Sequence, residues 1–112
     1  RVAMCEASMK DLPNVEVKTF QGLSVEFVRS CNSRVLLRGV RSLMDIDAEF
    51  TMSLANRVLD EEIESVFLMS SERFNHVSSS LIKQITPLAD DEQLARFVPA
   101  AIIPDLRARL PA

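Results

Sequence analysis

Two arginines that follow a short apolar run could bind a phosphate group. The residues at 38–41 read Arg-Gly-Val-Arg and come directly after the Val-Leu-Leu run at 35–37, which is typical of a buried strand. Guanidinium groups bind phosphate oxygens through paired hydrogen bonds, and ligands of α/β folds bind beyond the carboxyl ends of the strands. Exposed arginines also pair with surface carboxylates, so both interpretations stay open from this motif alone.

A polar stripe on the next predicted helix strengthens the phosphate interpretation. Asp45, Glu49 and Asn56 are spaced by four and seven residues and therefore share one helix face. An apolar stripe with a spacing of four runs alongside it and consists of Ile46, Phe50, Leu54 and Val58. The polar face could simply be solvated. We interpret Asp45 as a helix N-cap and Glu49 as a functional residue.

A second candidate site is the segment from Phe74 to Ser80, which ends in three consecutive serines. Free N–H groups at a helix N-terminus, serine hydroxyls and the positive end of the helix dipole together favour an anion. One serine is enough for a helix cap. Three serines after a strand therefore predict an anion site as well as a cap.

The periodicity of the whole chain predicts an α/β fold with a parallel sheet. The predicted strands are 15–20, 34–37 and 65–69; the predicted helices are 2–11, 24–31, 45–60, one beginning within 78–80, one around 91–97 and one after Pro99 that Pro104 interrupts. A length of 112 residues predicts a single domain over 1–112.

Composition and charge exclude several classes of protein. A formal net charge of -3 does not favour nucleic acid or an anionic membrane as a partner. The apolar run from Val98 to Ile103 is far too short to span a bilayer, and no secretory leader opens the chain. Cys5, Cys31 and the single histidine, His76, do not form a zinc-binding pattern. We therefore expect a cytoplasmic protein with no metal site of its own and no nucleic-acid or membrane partner.

Five segments in register resemble the bacterial phosphopantetheine adenylyltransferases. They are 11–17, 37–41, 56–57, 64–69 and 77–83, and the similarity runs from Arg1 almost to Leu110. The resemblance implies a Rossmann-like nucleotidyltransferase fold. It also implies that 4′-phosphopantetheine attacks the α-phosphate of ATP, giving dephospho-coenzyme A and pyrophosphate, with Mg²⁺ accompanying ATP. A homohexamer is implied as well.

The resemblance also assigns binding roles to individual residues. By similarity, substrate binding falls to Ser24, Arg38 and Asn56. ATP binding falls to Gly39, Val40, Arg41, Glu49, Phe74, Asn75, His76, Val77, Ser78, Ser79 and Ser80. The family's opening strand and its T/H-x-G-H motif, whose histidine stabilises the transition state, are expected upstream of Arg1. The fold is therefore expected to be incomplete at the N-terminus, with no catalytic residue within these 112 and little activity from this chain alone.

Three positions depart from the family pattern, and two other functions remain open. Ala48 replaces a tyrosine or similar residue, Gln84 replaces a glutamate and Ser70 replaces a proline. The alternatives are a related nucleotidyltransferase acting on nicotinamide mononucleotide and a non-catalytic fragment that serves as an oligomer or partner module. The segments at 11–17 and 38–41 argue against the first alternative.

Overall fold

Helices and two strands alternate along the chain in the computed structural model, which describes residues 1–111. The elements are α1 (Val2–Met9), α2 (Ser24–Ser30), β1 (Val35–Val40), α3 (Leu43–Leu59), β2 (Glu64–Met69), α4 (Ser79–Ile85), α5 (Asp91–Leu94) and α6 (Ile103–Arg109), with 3₁₀ turns at Glu72–Phe74 and Ala100–Ile102. The segment predicted as one helix after Pro99 is divided into a 3₁₀ turn and α6, but Pro104 lies in the first turn of α6, where a missing N–H costs nothing, and does not interrupt that helix.

The two strands pair in parallel, with Val35 opposite Glu64 and Val40 opposite Met69. Helix α3 connects them, because parallel neighbours cannot be joined by a tight turn. This β1–α3–β2 unit confirms the predicted α/β fold with parallel strands.

The chain divides into two compact units. The sheet unit comprises residues 20–75, and the helical unit comprises residues 1–19 together with the described residues from 76 onward. The prediction of a single domain stays a prediction.

The core of the sheet unit lies under α2. Val25 and Val28, one helical turn apart, are buried with Ile63, and Leu36 of β1 packs against them. Beside this cluster, Arg29 at the end of α2 donates to Asp60 over 2.7 Å and to Glu62 over 2.8 Å. The hydrogen bond from Arg29 lowers the pKa of Asp60.

The helical unit buries Ile82, Leu94, Ile103 and Leu106. Arg107 on α6 joins the segment after α4: it donates to the carbonyl oxygens of Thr86 and Ala89 and to the carboxylate of Asp91. The Thr86 carbonyl at the C-cap of α4, which the helix leaves without a partner, is satisfied in this way.

Two predicted elements differ in the structure. Residues 15–20, predicted as a strand, have no regular secondary structure. The alternating pattern cannot by itself supply partners for the strand's N–H and C=O groups, and the sheet of the described residues contains only β1 and β2. Strand β1 also continues past Leu37 to Val40, because its pairing extends to Met69. Arg38, which was predicted to lie in a loop, is therefore a strand residue.

Candidate functional site

Four of the predicted site residues line one pocket of the sheet unit, whose volume is about 400 Å³. Ser24 comes from the start of α2, and Arg38 comes from β1. Glu49 and Asn56, seven residues apart, come from the same face of α3. The pocket therefore brings together the three residues assigned to substrate binding and one residue assigned to ATP binding, which come from α2, β1 and α3.

Arg38 and Glu49 form a two-point ion pair in this pocket. Nε of Arg38 donates to Oε2 of Glu49 over 2.9 Å, and Nη2 donates to Oε1 over 2.7 Å. The arginine side chain is 53% exposed and the glutamate side chain is 18% exposed. The hydrogen bonds lower the pKa of Glu49 and raise the pKa of Arg38, so both groups stay charged at neutral pH.

The turn from β1 into α3 is fixed by its own hydrogen bonds. Ser42 is the N-cap of α3, and its hydroxyl accepts from the backbone N–H of Asp45 over 3.2 Å. The Asp45 carboxylate accepts from the backbone N–H of Arg41 over 3.0 Å and lies 3.6 Å from its Nε. The interpretation of Asp45 as the N-cap is therefore wrong, because Ser42 begins the helix and Asp45 closes its first turn.

The polar stripe of α3 lines the pocket, and the apolar stripe is exposed. Asn56 is buried, and Ser53 and Glu49 are half-buried. On the other stripe, Phe50 is 56% exposed and Val58 is 88% exposed. This arrangement is the reverse of an ordinary amphipathic helix, whose apolar stripe faces the core.

The predicted segment 74–80 spans the boundary between the two units. Phe74 and Asn75 belong to the sheet unit, where Oδ1 of Asn75 accepts a 3.1 Å hydrogen bond from the Ser70 hydroxyl. His76 belongs to the helical unit, where its ring meets the Phe97 ring edge-on, with the ring centres 5.9 Å apart.

The three serines of this segment, which lie in the helical unit, differ in their contacts. Ser78 is the N-cap of α4 and accepts from the backbone N–H of Leu81 over 3.2 Å. Ser79 and Ser80 follow in the first turn and are exposed, whereas Val77 is half-buried. One serine thus suffices for the cap, and the other two serines lie at the surface.

Comparison with known proteins places the chain in a family. The model of the cytidylyltransferase-like family matches residues 1–85. The chain is 57% identical over 113 residues to a phosphopantetheine adenylyltransferase of Rhodopirellula baltica, an alignment that covers 100% of this chain and 63% of the relative. An enzyme of the same name from Clostridium perfringens is 40% identical over 110 residues, which cover 98% of this chain and 66% of the relative. The enzyme from Clostridium beijerinckii is 36% identical over 110 residues, which cover 98% of this chain and 68% of the relative. The chain belongs to the cytidylyltransferase-like family, among the phosphopantetheine adenylyltransferases.

Membership of the cytidylyltransferase-like family confirms both the resemblance and the nucleotidyltransferase fold. The chain spans 63% and 66% of the length of the first two curated relatives. Their activity is therefore argued as a proposal for the protein that contains this chain.

The pocket of this cytidylyltransferase-like chain has an aromatic wall that the sequence pattern did not predict. The Phe20 and Phe27 rings stack with their centres 4.4 Å apart and an angle of 9° between their planes, and both rings line the pocket. Met52 of α3 lines it as well. Phe27 lies within the helix predicted over 24–31, but the helical pattern does not show what its ring contacts.

A second pocket of the sheet unit contains none of the predicted residues. Its volume is about 470 Å³, and it is lined by the Arg29–Asp60 ion pair, Leu23, Val25, Glu26 and Leu59. Because Arg29 is already bound by two carboxylates and lies beside the core, we regard this ion pair as structural.

Within residues 1–111, no group of three or more His, Cys, Asp or Glu side chains is arranged to hold a metal ion. Over the same residues, no helix combines the length and the apolar character that crossing a bilayer requires.

Proposed function

We propose that the protein containing this chain transfers the adenylyl group of ATP to 4′-phosphopantetheine in coenzyme A biosynthesis. A phosphate oxygen of phosphopantetheine forms a bond to the α-phosphorus of ATP. The bond from that phosphorus to the bridging oxygen breaks, and pyrophosphate leaves, giving dephospho-coenzyme A. The observation that carries the proposal is the single pocket that gathers Ser24, Arg38, Glu49 and Asn56.

In this proposal Arg38 holds the phosphate of phosphopantetheine. An arginine has five N–H donors, and Glu49 engages two of them, so three remain for phosphate oxygens. The attacking phosphate is already anionic near neutral pH because its second pKa is about 6. The reaction therefore needs position and charge stabilisation more than a general base.

The rest of the pocket suits the pantetheine arm, which alternates amide groups with apolar carbon chain. Phe20, Phe27 and Met52 offer apolar surface, and Asn56 offers an amide that can both donate and accept. Ser24 contributes from the first turn of α2. A volume of about 400 Å³ lies within the range of small-molecule sites.

Each unit carries residues that we propose as ATP contacts: Gly39, Val40, Arg41, Glu49, Phe74 and Asn75 in the sheet unit, and His76, Val77, Ser78, Ser79 and Ser80 in the helical unit. A Cβ atom at Gly39 would meet no atom within 4 Å, so open space lies beside this backbone and a ligand can approach it closely. Mg²⁺ is proposed to accompany ATP through the nucleotide's own phosphate oxygens. Residues 1–111 offer no ligand cluster for it, and we assign no step to the metal.

Assembly and location complete the proposal. The exposed apolar stripe of α3 supports burial against a further surface, and the family resemblance supplies a homohexamer as the assembly. A cytoplasmic location follows from the proposed metabolic role.

The test is turnover by the full-length protein with ATP, Mg²⁺ and 4′-phosphopantetheine. Turnover is measured as the release of pyrophosphate and the formation of dephospho-coenzyme A. Nicotinamide mononucleotide serves as the competing acceptor. We expect product only with phosphopantetheine. The proposal would be overturned if product formed only with nicotinamide mononucleotide, or if no product formed with either acceptor.

A further inference from the structure

We propose that Ser70 is a positioning residue for ATP binding, and that it orients the side-chain amide of Asn75 so that the amide can donate to the nucleotide. This inference rests on the proposed function, in which Asn75 is an ATP contact. It adds a residue to which the family resemblance gives no role, because Ser70 stands where that resemblance expects a proline.

Ser70 is anchored at the carboxyl end of the sheet. It follows the last residue of β2, and its backbone N–H donates over 2.9 Å to the carbonyl oxygen of Val40, the last residue of β1. Ser70 is also half-buried. Because ligands of α/β folds bind beyond this end of the strands, Ser70 is fixed beside the place where a nucleotide would lie.

The Ser70 hydroxyl joins this anchor to Asn75. It donates to Oδ1 of Asn75 over 3.1 Å, and both residues belong to the sheet unit. This bond engages the amide oxygen and leaves the amide nitrogen with its two N–H donors. Since the oxygen and the nitrogen diverge from one carbon, holding Oδ1 on Ser70 directs the N–H donors away from Ser70, where an acceptor atom of ATP can meet them.

The backbone of Asn75 is held as well. The 3₁₀ turn Glu72–Phe74 begins after Ser71, whose hydroxyl accepts from the backbone N–H of Arg73 over 3.4 Å. Asn75 ends this turn, and its own N–H donates to the carbonyl oxygen of Glu72 over 3.3 Å. The main chain and the side chain of this exposed residue are thus both fixed before a ligand binds. Such support is what a preorganised binding group requires.

A proline at position 70 could make neither of the Ser70 contacts. Proline has no backbone N–H to donate to Val40, and it has no hydroxyl to donate to Asn75. The serine therefore gives position 70 a role that depends on the residue at position 75. We expect the two side chains to act as one unit in ATP binding.

The test is a double-mutant cycle in the full-length protein, with ATP and 4′-phosphopantetheine titrated separately by calorimetry. Ser70→Ala should weaken ATP binding about two- to fivefold and Asn75→Ala about three- to tenfold, as expected for the loss of a neutral hydrogen bond. Phosphopantetheine binding should stay within about twofold. In an Asn75→Ala background, Ser70→Ala should have no further effect, because Ser70 acts through Asn75.

Two conservative variants separate the groups involved. Ser70→Thr keeps the hydroxyl and should restore most of the ATP affinity that Ser70→Ala loses. Asn75→Asp keeps an oxygen that accepts from Ser70 but replaces the N–H donors with a second oxygen, so its loss of ATP affinity should be at least as large as that of Asn75→Ala. In steady-state kinetics, Ser70→Ala should raise KM for ATP and leave kcat within about twofold.

Ser33→Ala is the matched control, because Ser33 is also a half-buried serine with a bonded hydroxyl, at the amino end of β1. Its affinity for both ligands should equal that of the parent. Three outcomes would overturn the inference: additive losses in the double variant, equal weakening of both ligands by Ser70→Ala, or a loss in Ser70→Thr as large as that in Ser70→Ala.

Failure of the proposed function would be visible separately. Turnover by the parent protein decides that question without any variant. If the parent binds ATP but transfers the adenylyl group to another acceptor, the proposed function fails, and the ATP titrations still decide the role of Ser70. A parent that binds no ATP would overturn both.

Discussion

On helix α3, the stripe that lines the pocket is polar and the neighbouring stripe, which is exposed, is apolar. Asn56 is buried, and Glu49 is held by Arg38, whereas Phe50 and Val58 are more than half exposed. The two stripes belong to one helix and run side by side along it. They therefore share the same backbone and differ in the chemical type of their side chains and in what those side chains contact.

The difference between the two stripes fits the proposed ligand-binding role of the polar stripe and a packing role for the apolar one. A polar stripe turned inward costs free energy unless each group finds a partner, and Glu49 has found one in Arg38. An apolar stripe left exposed signals a surface that another protein segment or subunit covers. In the proposed function, α3 therefore binds substrate with one face and packs against another subunit with the other.

The largest effect should come from the polar side, through Arg38→Ala. Losing a charge-assisted contact to phosphate costs about 1.5–3 kcal/mol, which corresponds to roughly a ten- to hundredfold weaker binding of 4′-phosphopantetheine. Calorimetric titration of the full-length protein measures the dissociation constant directly.

Arg57→Ala is the control for the loss of an arginine, since Arg57 is exposed on the same helix and does not line the pocket. Its affinity for phosphopantetheine should stay within about twofold of the parent, as is usual for surface substitutions away from a site. Equal losses in the two variants would mean that net charge, and not the Arg38 position, determines binding.

Local patterns predicted the elements whose signals are contained within a few residues. The helix predicted over 24–31 matches α2, and the serines at 78–80 located the start of α4. The strand predicted over 15–20 failed because a strand depends on a neighbour that its own sequence does not specify.

The candidate site was only partly predictable, because its geometry depends on long-range packing. The spacing placed Glu49 and Asn56 on one helix face, but an apolar stripe beside it suggested the opposite orientation for the helix. The pairing of Arg38 with Glu49 joins residues eleven apart across the turn from β1 into α3. Only the packing of α3 against β1 decides that the carboxylate reaches the guanidinium.

A smaller effect should appear as a pH dependence of stability. Arg38 lowers the pKa of Glu49 below its ordinary value of 4.5. Because the folded-state pKa is the lower one, the pair stabilises the fold above pH 4.5, and this contribution disappears as the pH falls through the folded-state pKa. The exposed guanidinium limits its size to about 1 kcal/mol or less.

Urea unfolding of the parent and of Glu49→Gln at neutral pH and at about pH 3 measures this contribution. The difference in unfolding free energy between the two proteins should shrink toward zero in acid. Other paired carboxylates, such as Asp60 with Arg29, remain in both proteins and cancel in the comparison. A difference that grows in acid would contradict the assigned direction.

The smallest effect on stability should come from the apolar side, through Val58→Lys. Val58 is 88% exposed, so the substitution removes almost no packing, and lysine has a higher helix propensity than valine. At a dilution that dissociates the proposed homohexamer, the unfolding free energy of the full-length protein should change by less than about 0.5 kcal/mol, as measured by urea titration. When the 112-residue chain is expressed alone, the same change should increase the soluble fraction, because it places a charge within an exposed apolar stripe. A loss of stability above about 1.5 kcal/mol in dilute protein would show that Val58 is packed within the subunit, and the contrast between the two stripes of α3 would then be wrong.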